Sequence, residues 1–428
     1  MEATIENVGF QTYSDYKESG VEWLGEIPLH WNMKRFKYLA DYHKGKLPKK
    51  ITSEWKEGLY PYMSMEYLRG GAANQWVLDM KIKNVEKGEI LLLWDGSNSG
   101  EFIKSRQGVI SSTVAHIKFF NIDKRYAWYY SFKIEQKLRN ETIGMGIPHV
   151  DGGELNNTYV LIPSPNEQTA IADFLDKKTA LIDKAIQIKQ KQIALLQERR
   201  QILIQQAVTR GLNPNVPLKD SAVDWIGMIP EHWEVCRNSN IYSESKKPGN
   251  DSLKILSVSI HTGVSSEELS DEENIRGAIR IEDKSSYKLV EPNDITFNMM
   301  RAWQGGIGAV KVRGMVSPAY VVASPKCEIN SEFFEFQYRT PEFIQQMDRF
   351  SKGITDFRKR LYWAEFKQLI TVLPPYKEQL QIVGYINDIT LMTKKITTLK
   401  EQEIEKLKEF KSTLINSAVT GKIKVAGV

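Results

Sequence analysis

Basic side chains gather in two short segments, where they could contact phosphate groups. In the first segment, Lys44, Lys46, Lys49 and Lys50 surround a glycine and a proline. Lysines in such a loop can neutralise the phosphates of a nucleic-acid backbone without reading its sequence. A solvated surface loop would have the same composition. The segment therefore predicts phosphate contacts, with an ordinary lysine-rich loop as the alternative.

The second basic segment, residues 352–360, has side chains that could also read bases. It combines lysines, arginines and a threonine with a glycine. Arginine can donate two hydrogen bonds to O6 and N7 of a guanine. We therefore expect this segment to contact DNA, and the alternative is a basic surface that caps a helix. The candidate residues are Lys352, Thr355, Arg358, Lys359 and Arg360.

Two glycine-containing segments, 94–100 and 301–306, follow matching strand-like runs. Loops that a rigid scaffold positions commonly carry recognition residues, and Ser, Asn, Gln and Arg side chains can bind base edges. Turn formation alone would also explain the glycines. The candidate base-reading residues here are Ser97, Asn98, Arg301 and Gln304. The role of the nearly uncharged segment 144–149 stays open.

Catalytic signatures are missing from the sequence. No glycine-rich loop ending in Lys-Ser or Lys-Thr is present to hold ATP phosphates. The segment 373–376, Leu-Pro-Pro-Tyr, resembles the Asp/Asn-Pro-Pro-Tyr loop of amino-methyltransferases, but Leu373 cannot bind a target amino group. His30 and His232 each precede a tryptophan and are expected to pack beside it. We predict no catalytic group, metal or cofactor in this chain.

Bulk composition narrows the setting of the protein. The 428 residues carry a net charge of only +5, and no segment is strongly basic, so any DNA contact must come from local clusters. No apolar run approaches the length of a membrane span, and the acidic N-terminus does not resemble a signal peptide. With only two cysteines, a disulfide framework is not expected. We therefore expect a cytoplasmic protein.

An internal repeat organises the chain. Residues 20–31 recur at 222–233, and seven of the twelve aligned positions are identical, including two tryptophans, a proline and a histidine. A second match has an offset of 211: the Pro-x-x-x-Glu-Gln segment at 163–168 recurs at 374–379. The two offsets differ by nine residues, so the stretches between the matches differ in length as well as sequence. The pattern is that of a constant framework with two divergent inserts.

Two long helices are predicted from composition and spacing. Residues 166–209 lack Gly and Pro and repeat apolar residues at intervals of four and three, which is typical of a coiled-coil seam. The seam recurs after residue 373. If the two helices pair antiparallel about a pseudo-two-fold axis, Ile186 is expected near Leu414 and Ile193 near Leu407. Packing of each helix on its own domain is the alternative. The predicted seam is Ile182, Ile186, Ile193, Leu196, Leu203 and Ala207, with Thr393, Thr397, Ile404, Leu407, Leu414 and Ala418 in the second helix.

The remaining stretches mix strand-like runs, such as Ile90–Trp94 and Tyr320–Ala323, with helical ones. One predicted helix is Pro341–Phe350, with Thr340 as its N-cap. We predict an α+β fold with a pseudo-two-fold internal repeat. Its predicted parts are a recognition domain at 1–160, a spacer helix with linker at 161–212, a second recognition domain at 213–372 and a second spacer helix at 373–428.

The repeated motifs resemble those of one protein family. Trp-x-Gly-x-Ile-Pro-x-His-Trp, at 23–31 and 225–233, is similar to the element that opens each half of type I restriction–modification specificity subunits. The Pro-x-x-x-Glu-Gln segments and the Ala-Val-Thr-x-Gly at 207–211 also fit, although Gly421 follows Thr420 without the spacer residue. The resemblance covers essentially the whole chain.

The resemblance implies a non-catalytic subunit that binds double-stranded DNA. Each domain would read one half of a split site, while antiparallel helices set the spacing and dock methyltransferase subunits. It further implies two modification subunits and, optionally, two restriction subunits, which would use S-adenosylmethionine, ATP and Mg²⁺.

Two alternatives from other classes remain at this stage. A coiled-coil interaction module whose globular ends bind protein would share the same helices. Salt-dependent DNA binding would distinguish it, because phosphate neutralisation weakens steeply with salt. A stand-alone DNA enzyme would need a catalytic constellation that the sequence does not display.

Overall fold

The computed structural model describes residues 10–78, 84–141, 148–223, 226–250, 252–266, 286–353 and 359–425. Its contacts divide the chain into two compact units. Unit 1 comprises residues 1–189 and 401–428, and unit 2 comprises residues 190–400. Each unit therefore contains one globular domain together with part of both long helices.

Unit 1 contains twelve described strands and three short or medium helices before the first long helix. The strands are β1 (Tyr16–Glu18), β2 (Glu26–Pro28), β3 (Asn32–Arg35), β4 (Ala40–Lys44), β5 (Ile51–Thr52), β6 (Tyr60–Met63), β7 (Trp76–Val77), β8 (Ile90–Leu93), β9 (Phe102–Lys104), β10 (Val109–Ile110), β11 (Val114–Phe119) and β12 (Tyr159–Ile162). The helices are α1 (Met65–Leu68), α2 (Lys124–Glu141) and α3 (Gly152–Asn157). The first long helix is α4 (Pro165–Arg210).

Unit 2 has the same kinds of element. Its described strands are β13 (Leu218–Asp220), β14 (Met228–Pro230), β15 (Glu234–Arg237), β16 (Tyr242–Ser245), β17 (Val258–Ser259), β18 (Gly263–Val264), β19 (Lys288–Val290), β20 (Ile295–Asn298), β21 (Ile307–Ala309), β22 (Gly314–Val316), β23 (Tyr320–Pro325) and β24 (Ile370–Leu373). Its described helices are α5 (Asn238–Ile241), α6 (Ser331–Tyr338), α7 (Pro341–Phe350) and α8 (Trp363–Phe366), followed by the long helix α9 (Tyr376–Val419).

The sheets show that the two domains share a framework. The main sheet of unit 1 has the order β4-β11-β8-β9, and that of unit 2 has the equivalent order β16-β23-β20-β21. The hairpin β1-β2 corresponds to β13-β14, and the pair β3-β12 corresponds to β15-β24. The predicted α+β class and internal repeat are therefore confirmed. So is the predicted helix α7, whose N-cap Thr340 accepts a hydrogen bond from the Phe343 amide.

The tryptophans of the repeated motif form part of the cores. Trp31 and Trp233 are completely buried, each in the main hydrophobic cluster of its unit. Each indole nitrogen donates a hydrogen bond to a carboxylate at the start of a long helix: Trp31 to Glu167 at 3.2 Å and Trp233 to Glu378 at 3.1 Å. In each unit, the tryptophan motif therefore contacts the Pro-x-x-x-Glu-Gln motif directly. This contact explains why the two motifs recur together.

Both long helices occupy the predicted positions. Neither contains proline after its first turn, so each continues without a break to a defined end. Ser164 and Glu167 form a reciprocal capping box at the start of α4. Gly211 and Gly421, which follow the two helices, both have a φ of +73°, a conformation that terminates helices and favours glycine. No helix in the described ranges is long and apolar enough to cross a membrane.

Each of the twelve predicted seam residues is buried or half-buried. Within unit 1, Lys411 pairs with Asp183 at 2.7 Å and Lys189 with Glu403 at 2.6 Å. Residue numbers rise along one helix as they fall along the other, so the segments are antiparallel. In unit 2, Lys400 donates a hydrogen bond to Gln192 at 2.7 Å, which gives the same direction.

The pairing register differs from the one expected from the sequence. Antiparallel pairing about a pseudo-two-fold axis was expected to place Ile186 near Leu414. The Asp183–Lys411 ion pair instead places Ile186 level with Leu407, one heptad away. A heptad repeat is satisfied equally well by any shift of seven residues, so the seam could not select the register. Charged flanking residues select it.

Candidate nucleic-acid interface

The loop after β8 presents the predicted polar residues of unit 1 to solvent. The backbone amide of Val150 donates to the Trp94 carbonyl at 2.8 Å, and that of Gly96 donates to Pro148 at 2.9 Å. These bonds hold the start of the loop against the segment that precedes α3. Ser97 and Asn98 lie exposed beyond them. Their side chains are available for hydrogen bonds to a partner.

The loop after β20 is held by an equivalent bond in unit 2. Here the Leu361 amide donates to the Met299 carbonyl at 2.9 Å. Arg301 is exposed and donates a hydrogen bond to the Gln304 amide oxygen at 2.8 Å. The two units thus use the same backbone contact to support loops of different sequence.

The lysine segment of unit 1 begins beside the loop after β8. Lys44, at the end of β4, lies 3.2 Å from the Asp95 carboxylate and 5.2 Å from the centre of the Trp94 ring. Lys46, Lys49 and Lys50 are exposed, and no carboxylate lies within ion-pair distance of them in the described part of the chain. Their charges are therefore open to phosphates.

The basic segment of unit 2 is closed at its base by contacts within the protein. Lys352 and Arg360 form an antiparallel bridge with two backbone hydrogen bonds of 2.9 Å. The Lys352 ammonium pairs with the buried Glu365. These contacts give Lys352 a structural role that its sequence did not indicate, while the Arg360 side chain remains exposed. Thr355 and Arg358 lie outside the described residues.

Lys359 joins this basic segment to the loop after β20. Its ammonium group lies 2.7 Å from Asp348 and 5.3 Å from the centre of the Trp303 ring. The arrangement repeats that of Lys44 with Trp94 and Asp95, although different elements supply the residues. In both units, a lysine between an indole ring and a carboxylate connects the predicted basic segment to the predicted recognition loop.

Sequence reasoning missed two lysines of unit 2. Lys246 and Lys247 follow β16 and are exposed. In unit 1, Lys44 is the last residue of β4 and Lys46 follows it. Since the offset between these strands is 202, Lys246 is the repeat equivalent of Lys44. Applying that offset beyond the matched motif would have identified it. Lys246 also lies 3.2 Å from Glu244.

The histidines of the repeated motif serve the framework. Nε2 of His30 lies 2.8 Å from Glu167, and Nε2 of His232 lies 2.8 Å from Glu378. Burial disfavours the charged form of Glu167, but hydrogen bonds from His30, Ser164 and Trp31 outweigh it and lower the pKa of that carboxyl. This carboxylate therefore has a structural explanation in the contact between motif and helix.

The Leu-Pro-Pro-Tyr segment likewise has a structural role. Leu373 is the last residue of β24 and pairs with Glu234 of β15. The Pro374 carbonyl accepts a hydrogen bond from the Gln379 side chain at 2.8 Å. Gln379 also accepts one from the Asn330 amide, at the N-cap of α6. The segment thus connects the sheet to the start of α9.

Part of the chain resembles a known family of proteins. The sequence profile of the type I restriction modification DNA specificity domain matches residues 28–198. Over this region, the chain is similar to the DNA specificity domain of type I restriction–modification systems. The profile match includes the predicted lysine segment, the loop after β8 and more than half of α4.

Two named relatives come from Methanocaldococcus jannaschii. The type I restriction enzyme MjaVIII specificity subunit is 35% identical over 262 residues, which cover 57% of this chain and 59% of the relative. This alignment thus spans less than two thirds of that relative's length. The putative MjaX specificity subunit is 23% identical over 96% of this chain and 98% of its own.

Solved structures share the fold of this chain. A chain from a structure that describes complex assembly and conformational transition of the type I R-M system has a TM-score of 0.61. It is 12% identical and covers 92% of this chain and 98% of its own. The HsdS subunit from Thermoanaerobacter tengcongensis has a TM-score of 0.50 and is 13% identical. The match covers 95% of this chain and 100% of that subunit.

Proposed function

We propose that this chain is a type I restriction–modification specificity subunit that reads a bipartite double-stranded DNA target, with one half-site for each unit. The observation that carries the proposal is the shared scaffold with different loops. Equivalent strands and equivalent backbone bonds support Ser97 and Asn98 in unit 1, but Arg301 and Gln304 in unit 2. Different side chains on one scaffold are suited to reading different base sequences.

The antiparallel helices are proposed to set the spacing between the half-sites. At about 1.5 Å per residue, the 46 residues of α4 extend roughly 70 Å. Ion pairs fix the helix register in unit 1, and the Lys400–Gln192 contact does so in unit 2. Because the register is fixed, the two helices cannot slide along each other, and the length of the helix pair does not change.

The helices are also proposed to dock two modification subunits, one on each unit. Leu181 and Ile188 are large, exposed apolar residues of α4 in unit 1. At an offset of 211, their equivalents in unit 2 are Met392 and Leu399, which are exposed as well. Exposed apolar side chains one heptad apart fit the apolar face of a partner helix. A duplicated site supports two copies of the partner.

Catalysis belongs to the partners in this proposal. Modification subunits would use S-adenosylmethionine, and two optional restriction subunits would use ATP and Mg²⁺. The specificity subunit would select the DNA and hold the modification subunits over it.

Mapping methylated bases in DNA from cells that produce this chain with its modification subunits tests the proposal. The expected result is a split motif with two defined halves and a spacer of constant length. Purified complex should bind that motif more weakly as salt rises. A continuous modified motif, or binding that does not respond to salt, would contradict the proposal.

A further inference from the structure

A segment of unit 1 exposes large apolar side chains among lysines. This lysine–tryptophan segment, defined as residues 46–60, contains Leu47 with 70% of its surface exposed and Trp55 with 66% exposed. Removing a side chain of this size from water contributes roughly 1.5–3 kcal/mol, so such exposure at two nearby positions suggests a surface that binds a partner.

The charge of the segment indicates the chemistry of that partner. Lys46, Lys49, Lys50 and Lys56 are all exposed, and none has a carboxylate within ion-pair distance among the described residues. Protein–protein interfaces are depleted of lysine, especially at their centres, whereas protein–DNA interfaces are strongly positive. The combination of open lysines with an exposed indole therefore favours a nucleic acid over a protein.

The segment lies close to the loop after β8 in the same unit. Lys44 contacts both Trp94 and Asp95, and Leu47 is three residues away along the chain. Three extended residues span about 10 Å, so Leu47 lies within the width of a few base pairs from that loop. A duplex bound at Ser97 and Asn98 would be within reach of the segment.

The small sheet behind the segment gives it a fixed platform. Ile51 of β5 and Tyr60 of β6 are both paired with Val77 of the central strand β7. Directly paired residues lie on the same face of a sheet, so Ile51 and Tyr60 flank the buried Val77. The turn that carries Trp55 connects β5 to β6, the two strands on either side of β7, and is anchored at both ends.

We propose that the lysine–tryptophan segment is a DNA-deforming element, in which Leu47 and Trp55 insert against bases at the border of the first half-site while the lysines hold flanking phosphates. Apolar wedges of this kind unstack a base step and are combined with phosphate contacts. The inference rests on the proposed function and adds a mode of recognition to it.

The described residues that follow β16 in unit 2 lack a counterpart of this segment. After β16, the described residues 246–250 and 252–266 contain no large apolar side chain in the most exposed class. Lys246 and Lys247 are present there as phosphate contacts only. We therefore expect deformation of the duplex at the half-site read by unit 1.

The test uses the complete complex with modification subunits and duplexes that carry the mapped target. A 2-aminopurine replaces a base in turn at each border position of either half-site, and its fluorescence reports unstacking. Trp55→Ala and Leu47→Ala are compared with Tyr38→Ala, which removes an equally exposed aromatic residue (61%) of unit 1 outside the segment. Mass measurement without DNA monitors assembly.

The natural complex should show a fluorescence increase at the first half-site only. Trp55→Ala should abolish it and weaken target binding about ten-fold, which is the scale of one lost base–aromatic stack. Tyr38→Ala should change neither. Unchanged fluorescence and affinity in both variants, or loss of a modification subunit from the DNA-free complex, would overturn the inference. Failure of the natural complex to bind its mapped target would count against the proposed function instead.

Discussion

Single carboxylates in this protein determine which lysines remain available to DNA. Asp95 holds Lys44 beside Trp94, and Asp348 holds Lys359 beside Trp303. A lysine held in this way keeps a defined position next to the recognition loop. In the proposed DNA complex, the neighbouring carboxylate would oppose the contact of that lysine with a phosphate.

Replacing Asp95 with Asn should therefore strengthen non-specific binding. Lys44 would lose its partner and could bind a phosphate of any sequence, so the slope of log K against log salt should become steeper by about 1. The ratio of target affinity to non-target affinity should fall. Fluorescence anisotropy at several salt concentrations measures both quantities. Glu22→Gln, which removes an exposed negative charge of unit 1, controls for net charge and should leave the ratio unchanged.

The basic segment of unit 2 should divide into base-reading and structural residues. Arg360→Ala, alone or with Arg358→Ala, should relax one half-site at a cost of about 1–3 kcal/mol per lost bidentate contact, without lowering the melting temperature. Lys359→Ala should lower the melting temperature, because Lys359 pairs with Asp348 and contacts Trp303. Methylation mapping and thermal unfolding measure the two effects. An unchanged target in the Arg358/Arg360 double variant would contradict the assignment.

At the scale of elements, the long helices combine an apolar seam with polar contacts that fix its register. The seam supplies burial, whereas Asp183–Lys411 and Lys189–Glu403 in unit 1 select one alignment out of several that differ by a heptad. Since individual exposed ion pairs contribute little stability, their importance lies in this selection.

Insertion of one heptad after Lys189 and another after Lys400 should lengthen the spacer of the DNA target. Both insertion points lie beside the contacts Lys189–Glu403 and Lys400–Gln192, and seven residues preserve the seam while adding about 10 Å. Methylation mapping should show both half-sites unchanged and the spacer longer by one to a few base pairs. A four-residue insertion, which breaks the heptad phase, should abolish modification. An unchanged spacer in the active heptad variant would contradict the ruler role.

The exposed apolar pairs on the helices should each hold one modification subunit. Leu181→Glu with Ile188→Glu should remove one subunit from the complex, and Met392→Glu with Leu399→Glu should remove the other, because a buried unpaired carboxylate is costly. Native mass spectrometry gives the stoichiometry directly. Exposed Glu401→Gln serves as a helix-surface control. Retention of both subunits in both variants would place docking elsewhere.

At the scale of the molecule, the core of unit 1 is completed by the end of the chain. Leu414, Ile415, Ala418 and Val419 of α9 belong to the same hydrophobic cluster as Trp31. At the offset of 211, their equivalents in α4 are Leu203, Ile204, Ala207 and Val208, of which Ala207 and Val208 are buried in the cluster of unit 2. A half-length chain thus carries a segment able to complete the core of a second copy.

Residues 1–212 alone should therefore form a two-fold dimer. In the observed register, Asp183 of one copy would pair with Arg200 of the other, since Arg200 is the repeat equivalent of Lys411. Ile182 and Ile186 would occupy the places of Thr393 and Thr397, which makes the seam more apolar. Light scattering should give twice the fragment mass, and with modification subunits the dimer should modify a palindromic split site. A folded monomer at micromolar concentration would contradict the model.

Asp183→Arg should break that dimer and Arg200→Asp should do the same, while the double variant should restore it. Recovery in the double variant would establish the register, because a shift by one heptad would place other residues opposite each other. Failure of the double variant to recover would show that a different register is used.

Local and repeated patterns in the sequence determined the architecture. The two motifs, the heptad spacing of residues 166–209 and the Thr340 cap each depend on residues close together in the chain, or on identity between two distant copies, and both kinds of signal are legible in one sequence. Only the tertiary structure decided the helix register and the pairing of Lys44 with Asp95 and of Lys359 with Trp303. Those contacts join residues tens of positions apart, and such pairings depend on how the intervening chain packs, which no local pattern encodes.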